Sequence, residues 1–419
     1  MREMKDSGIE WVGAIPATWQ MHPLYYYFCE RKCRNTLGKE NNLLSLSYGR
    51  VIRKDINTVD GLLPENYNGY NIIEKDDIVL RLTDLQNDKR SLRTGLVREH
   101  GIITSAYTTI KANRELVPEF FQYLLHSYDA MKVLYNMGSG VRQGLNFSEL
   151  SKMPLISPDM LEQKKIADFL DAKCSEIDAI SADIQKEIKT LEQYKRSLVF
   201  EAISKGINGE KTANASSDIW KEIPQSWKLV DIKYLFEIVK RMAGREGYNI
   251  LSVTQKGLKV KDISGNQGQI AENYSGYQFV FPSDYVMNHM DLLTGWIDCS
   301  DQFGVTSPDY RVFRLRDKTQ NDTEYYKYVM QCCYMCRIFY SLGQGVSTLG
   351  RWRLQTSAFM NFKVPVPPLH EQKEIARYLN DKCKEIELSI EQKRKQLELL
   401  SSYKKSLIYE YVTGKKEVI

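Results

Sequence analysis

The chain has 419 residues, 42% of them hydrophobic and 26% charged, which excludes a disordered chain and leaves room for two or three domains. A net charge of +5, from 58 Lys plus Arg against 53 Asp plus Glu, permits a nucleic-acid partner without requiring one. No stretch nears the roughly 20 apolar residues of a membrane span, and the opening MREMKDSGIEW has no apolar signal core, so a cytoplasmic protein with free thiols is expected.

In chain order, a first globular part is expected over 1–155. It holds short strands at Leu43 to Ser47 and Asp77 to Leu80, and an amphipathic helix from Pro118 to Tyr135. A long helix follows over 156–205. Ile177, Ile180, Ile184, Ile188, Leu191, Tyr194 and Leu198 recur there at spacings of three and four, the stripe of one helix face. Residues 206–217, GINGEKTANASS, are small and polar and read as a linker. A second globular part is expected over 218–364, with a helix from Thr323 to Tyr340. A second long helix over 365–419 carries Ile386, Ile390, Leu397, Leu400, Tyr403 and Leu407. Proline precedes each long helix, at Pro158 and at Pro367-Pro368.

The chain contains itself twice. Ile15-Pro16-Ala17-Thr18-Trp19 returns as Ile223-Pro224-Gln225-Ser226-Trp227, and Glu65-Asn66-Tyr67-Asn68-Gly69-Tyr70 as Glu272-Asn273-Tyr274-Ser275-Gly276-Tyr277. Gly138-Ser139-Gly140-Val141 returns as Gly343-Gln344-Gly345-Val346, and Glu162-Gln163-Lys164-Lys165-Ile166-Ala167 as Glu371-Gln372-Lys373-Glu374-Ile375-Ala376. The offset drifts only from 205 to 209, so the unit is a little over 200 residues long. A helix of about 40 residues cannot bury its stripe against itself. The repeat supplies a partner, and an antiparallel coiled coil of the two helices is the simplest arrangement. The fold class expected is therefore mixed α/β: two repeated globular domains joined by two long helices.

Catalytic signatures are missing. There is no Gly-x4-Gly-Lys-Ser/Thr phosphate loop, no Gly-x-Gly-x-x-Gly after a strand and no Asp/Asn-Pro-Pro-Tyr/Phe. Asp159, Asp171 and Lys173 imitate a nuclease spacing, but the second repeat has Pro368 and Asn380 at the acids. Cys332, Cys333 and Cys336 imitate a metal site, but the first repeat has Ser127, Tyr128 and Met131 there, so packed thiols are expected and no metal.

Basic side chains cluster where loops are expected. Arg50, Arg53 and Lys54 form one group, and Arg81, Arg90 and Arg93 another. In the second repeat the groups are Arg241 and Arg245, then Lys256, Lys259 and Lys261. Arg142-Gln143 follows the first Gly-x-Gly; Gln344 lies inside the second, with Arg351 and Arg353 after it. Arg and Gln carry forked donors that match base edges, while Lys neutralises phosphates. A solvated charged surface accounts for any one of these residues as well as base contact does.

With Ile-Pro-x-x-Trp near each domain start, Gly-x-Gly before a proline-rich exit, and Pro367-Pro368-Leu369-His370-Glu371-Gln372-Lys373-Glu374-Ile375-Ala376 opening a helix, the chain resembles the type I restriction–modification specificity subunits. The first copy, Ser157-Pro158-Asp159-Met160-Leu161-Glu162-Gln163, keeps one proline and has one extra residue. The resemblance covers essentially the whole chain. It implies two target-recognition domains, each reading half of a bipartite DNA site, with the helices as spacer and docking platform. It implies two methylation subunits carrying S-adenosylmethionine and restriction subunits using ATP and magnesium, with no cofactor on this chain. It transfers no base-reading residue, because those vary within the family. Two other readings stay open: a coiled-coil scaffold with two protein-binding heads, and a self-contained methyltransferase or nuclease.

Overall fold

The computed structural model of the chain describes residues 2–56, 66–85, 92–137, 144–215, 217–261, 273–345 and 352–418. They fall into two units, Met1–Ile184 with Lys395–Ile419, and Gln185–Arg394.

Each unit is built on a four-stranded antiparallel sheet of the same strand order. In the first, Thr108–Ala112 lies between Phe28–Glu30 and Ile78–Leu80, and Thr94–Leu96 forms the far edge. In the second, Arg311–Leu315 lies between Phe236–Val239 and Tyr285–Met287, with Ile297–Cys299 at the edge. A helix covers one face of each sheet, Pro118–Ala130 or Thr323–Met335. A hairpin covers the other face, Leu44–Ser47 with Arg50–Arg53, or Leu251–Thr254 with Gly257–Val260. A central strand covered on both faces must be apolar on both. Ile78-Val79-Leu80 and Tyr285-Val286-Met287 are accordingly buried without alternation.

The two covering helices end earlier than their periodicity suggests, at Ala130 and Met335. Lys132 (φ 64°) and Arg337 (φ 55°) adopt the left-handed conformation, which breaks the helical ladder. A separate turn follows each, Val133–Asn136 and Ile338–Ser341, and its apolar residues prolong the pattern past the break.

Each globular part leaves and rejoins its frame through a two-stranded neck. Gln20–Pro23 pairs with Pro154–Ser157, and Lys228–Asp231 pairs with Lys363–Val366. These strands take the first residues of the spans expected as long helices, which run over Met160–Lys205 and Leu369–Val412. Part of the expected linker is also a strand, Thr212–Asn214, paired with Glu222–Pro224.

Within the first unit, Ile166, Leu170, Cys174 and Ile177 from the start of one long helix share a core with Leu407, Ile408 and Val412 from the end of the other. Lys404 Nζ lies 2.6 Å from Asp178. Within the second unit the roles reverse: Leu198, Val199, Ala202 and Ile203 pack with Ile375, Leu379, Cys383 and Ile386. Lys195 pairs with Glu387, Lys393 with Glu187 and Arg394 with Glu192. Ile180, Tyr194 and Tyr403, all in the expected stripe, stay about half exposed. Where a globular body also covers the helices the stripe is sealed; a pair of helices alone covers it only in part.

The recurring motifs are the joints of this frame. Trp19 Nε1 donates to Glu162 at 3.0 Å, and Trp227 Nε1 to Glu371 at 2.9 Å. Gln163 donates to Ser157 Oγ and the Pro158 carbonyl and accepts from the Val117 backbone N–H. Gln372 donates to the Pro367 carbonyl at 2.9 Å and accepts from the Asp322 N–H at 2.7 Å. Each glutamine thus ties neck, covering helix and long helix together. Gln372→Ala strands the buried Pro367 carbonyl and the half-buried Asp322 N–H and is expected to cost about 2–4 kcal/mol. Thermal unfolding checks this; a variant that melts like the parent would show that the glutamine carries no joint.

Candidate nucleic-acid interface

The structure gathers several of the basic residues onto the equivalent hairpins. Arg50, Arg53 and Lys54 belong to the first hairpin, Lys256, Lys259 and Lys261 to the second. Lys54 and Lys261 occupy the same place: the Lys54 N–H donates to the Leu43 carbonyl, the Lys261 N–H to that of Ile250. Both hairpins are two-stranded ribbons, an element whose width fits the major groove. Arg50 pairs with Asp178 and Arg53 with Glu99, yet these arginine side chains remain 69% and 71% exposed. Such surface pairs are weak and yield readily to a phosphate. Tyr48, which the composition did not single out, stands 86% exposed at the turn of the first ribbon.

In the second unit a chain of hydrogen bonds joins the ribbon turn to the Gly-x-Gly segment. Gln255 donates to the Thr294 carbonyl at 3.4 Å, and the Leu292 N–H donates to Trp352 at 3.1 Å. Gln344 and Arg353 then form a backbone bridge, each N–H donating to the other's carbonyl at 3.0 Å. Both side chains are exposed. The glycines flanking Gln344 lie close against the Trp352 indole and the Leu292 side chain. A Cβ on Gly345 would come to 2.9 Å of that ring, and one on Gly343 to 2.8 Å of Leu292. Lys256, Gln344 and Arg353 are in this way brought to one region of the second domain.

Arg93 leaves the set. Its side chain is fully buried, donating to the carbonyls of Arg81, Thr83 and Asp84 and to the Tyr135 hydroxyl. It braces a loop from inside and has no surface to offer DNA. Arg241 is largely committed as well: it pairs with the buried Asp284 and lies over the Phe281 ring at 4.6 Å. Arg245 donates to the Tyr248 hydroxyl at 2.7 Å and stays exposed, and Arg81 is half-buried. Arg90, Arg142, Gln143 and Arg351 lie outside the described residues.

The residues that imitate a nuclease have structural partners. Asp159 caps the first long helix, accepting from the Glu162 N–H at 2.8 Å. Asp171 accepts from the Tyr123 hydroxyl at 2.7 Å, and its counterpart Asn380 accepts from Tyr328 at the same distance. A position that serves equally as Asp or Asn is a hydrogen-bond acceptor, not a metal ligand. Cys332 and Cys333 are buried, and Cys332 Sγ lies 3.9 Å from Cys336 Sγ. No group of three metal-ligating side chains occurs among the described residues, and none of their helices is long and apolar enough to cross a membrane.

Comparison with known proteins matches this arrangement. The family described as type I restriction modification DNA specificity domain matches twice, over residues 29–190 and 224–399, one match per repeat. The type I restriction enzyme MjaVIII specificity subunit of Methanocaldococcus jannaschii is 25% identical over 339 residues, 76% of this chain and 75% of the relative. The putative type I restriction enzyme MjaX specificity subunit of the same organism is 25% identical over 324 residues, 73% of this chain and 69% of that one. A solved chain described under complex assembly and conformational transition of the type I R-M system shares the fold, with a TM-score of 0.66 at 14% identity over 96% of this chain and 99% of its own. With both repeats matched and a mixed α/β domain in each, the chain belongs to the type I restriction modification DNA specificity family, as a non-catalytic specificity subunit.

Proposed function

We propose that the two domains read the two halves of a bipartite DNA site, and that the long helices, packed as an antiparallel coiled coil, hold them apart. The observation that carries this reading is the double occurrence of one architecture, sheet, covering helix and basic ribbon, at equivalent positions of the two repeats. The helix contacts inside each unit support the antiparallel pairing, since the start of one helix meets the end of the other in both. The ribbon residues Arg50, Arg53, Lys54, Lys256, Lys259 and Lys261 approach the duplex, with Gln344 and Arg353 beside the second ribbon. Two methylation subunits dock, one on each equivalent helix platform, and supply the S-adenosylmethionine chemistry on adenine. Restriction subunits add ATP- and magnesium-dependent work. The complex operates in the cytoplasm.

The test is co-expression with the methylation subunit encoded beside this chain, followed by mass measurement of the complex and mapping of methylated adenines in the host genome. A complex with two methylation subunits and a methylated motif in two parts separated by unread bases is expected. A stable monomer that ignores that subunit, or a continuous motif, overturns the reading.

A further inference from the structure

Behind the Gln344–Arg353 bridge the second domain holds a charge that nothing among the described residues balances. Arg311 is 5% exposed. Its guanidinium donates to the Leu354 carbonyl at 3.1 Å and the Thr356 hydroxyl at 3.2 Å and lies 4.9 Å from the Phe359 ring. Every one of these partners is neutral. The Met287 sulfur, 3.8 Å from the guanidinium, is neutral too, and among the described residues neither Arg311 nor Arg353 pairs with a carboxylate. A buried cation without a counter-ion is costly, and here a second arginine and a histidine stand beside it. Burial, and then the Arg353 charge, pull the Arg311 pKa down to about 10. Burial, then Arg311 and Arg353, push that of His289 down to about 4, so His289 is neutral at physiological pH. His289 Nδ1 and Trp352 Nε1 are buried and have no hydrogen-bond partner among the described residues.

Among the described residues the feature is private to the second repeat. The strand pairing that sets Arg311 opposite Met287 sets Thr108 opposite Leu80 in the first. The Leu354 N–H bonds the His289 carbonyl where the Leu145 N–H bonds that of Leu82. Threonine and leucine thus fill the two places that arginine and histidine hold here. A domain that concentrates unbalanced positive charge behind an exposed arginine is short of one anion.

We propose that Arg353, backed by Arg311 and His289, forms a binding site for one phosphodiester of the DNA backbone at the second half-site, with no counterpart among the described residues of the first domain. Arg353 touches the phosphate, Arg311 deepens the positive potential from within, and the arriving anion offsets the repulsion between the two arginines, beside which His289 stays neutral. The inference rests on the DNA-reading function proposed above and adds which chemistry of the duplex this region meets: backbone, not base edge.

The test uses the full chain in complex with its methylation subunits and duplexes carrying the methylated motif. In each duplex one backbone phosphate is replaced by neutral methylphosphonate, scanned across the second half-site. Arg353→Gln is expected to weaken binding roughly tenfold and to lower the slope of log affinity against log salt by about 0.9, the value for one phosphate. At one scanned position the methylphosphonate and Arg353→Gln should not add, because both remove the same contact. Arg311→Met keeps the packing and should weaken binding severalfold, with the same non-additivity. Free phosphate at the same ionic strength should compete with the duplex far less than the duplex competes with itself.

Losses that add at every scanned position overturn the proposal. A changed base preference in the genomic methylation pattern of the Arg353→Gln variant also overturns it, in favour of a base contact. Failure of the unaltered complex to bind any motif-bearing duplex is a different outcome, which removes the function itself.

Discussion

Exchanging residues 24–153 for the matching segment of another family member is expected to replace one half of the recognised site and leave the other half untouched. The junction follows from the neck. Pro23 and Pro154 are paired across its two strands, and the Leu24 N–H donates to the Met153 carbonyl at 2.9 Å, so the segment enters and leaves at one point. Cutting there keeps Trp19, Glu162 and Gln163 with the frame that they join. A cut at 155, the boundary suggested by the sequence, would fall inside the strand Pro154–Ser157 and leave its pairing to chance. The second domain closes on its own core, so a new first domain does not disturb it. Mapping methylated adenines in a strain carrying the chimera reads the result. Loss of one half-motif with the other kept, and a new half-motif in its place, is the expected pattern, a complete switch in sites modified. A change in both halves would sink the idea that each domain reads independently.

A matched lengthening of the two long helices is expected to widen the gap between the half-sites without altering either. The helices have 46 and 44 residues. The cross-pairs Lys393–Glu187 and Lys195–Glu387 place Lys189 close to the level of Gln392. Four residues added after each of these positions extend both helices by about one turn, roughly 6 Å. Insertion into one helix alone would shift these pairs out of register. Along DNA the base pairs rise about 3.4 Å, so the gap should grow by one or two pairs. Every site of the parent motif should then go unmodified. An active variant that keeps the original spacing would show that the helices do not set the distance.

The repeat, the long helices and the lack of catalytic motifs were legible in the sequence, because each is a local or periodic property. Ile177, Leu198, Ile386 and Leu407 recur at helical spacing and are buried as expected. The motif residues Trp19, Glu162 and Gln163 were legible as signals but not as parts. Only the fold brings an indole N–H to a carboxylate 143 positions away.

The basic residues divide on the same line. Composition shows how many arginines a segment holds, not which way they face. Arg93 and Arg53 read alike in the sequence, but one is fully buried, its guanidinium held by three backbone carbonyls, and the other is 71% exposed on a ribbon. Arg311 escaped notice because it lies in a strand, where its neighbours in sequence are apolar and its charged neighbours arrive from other elements. Helix periodicity is set within a few residues, so the chain declares it alone. Burial and electrostatic environment are sums over residues far apart in the chain, and only tertiary packing decides them.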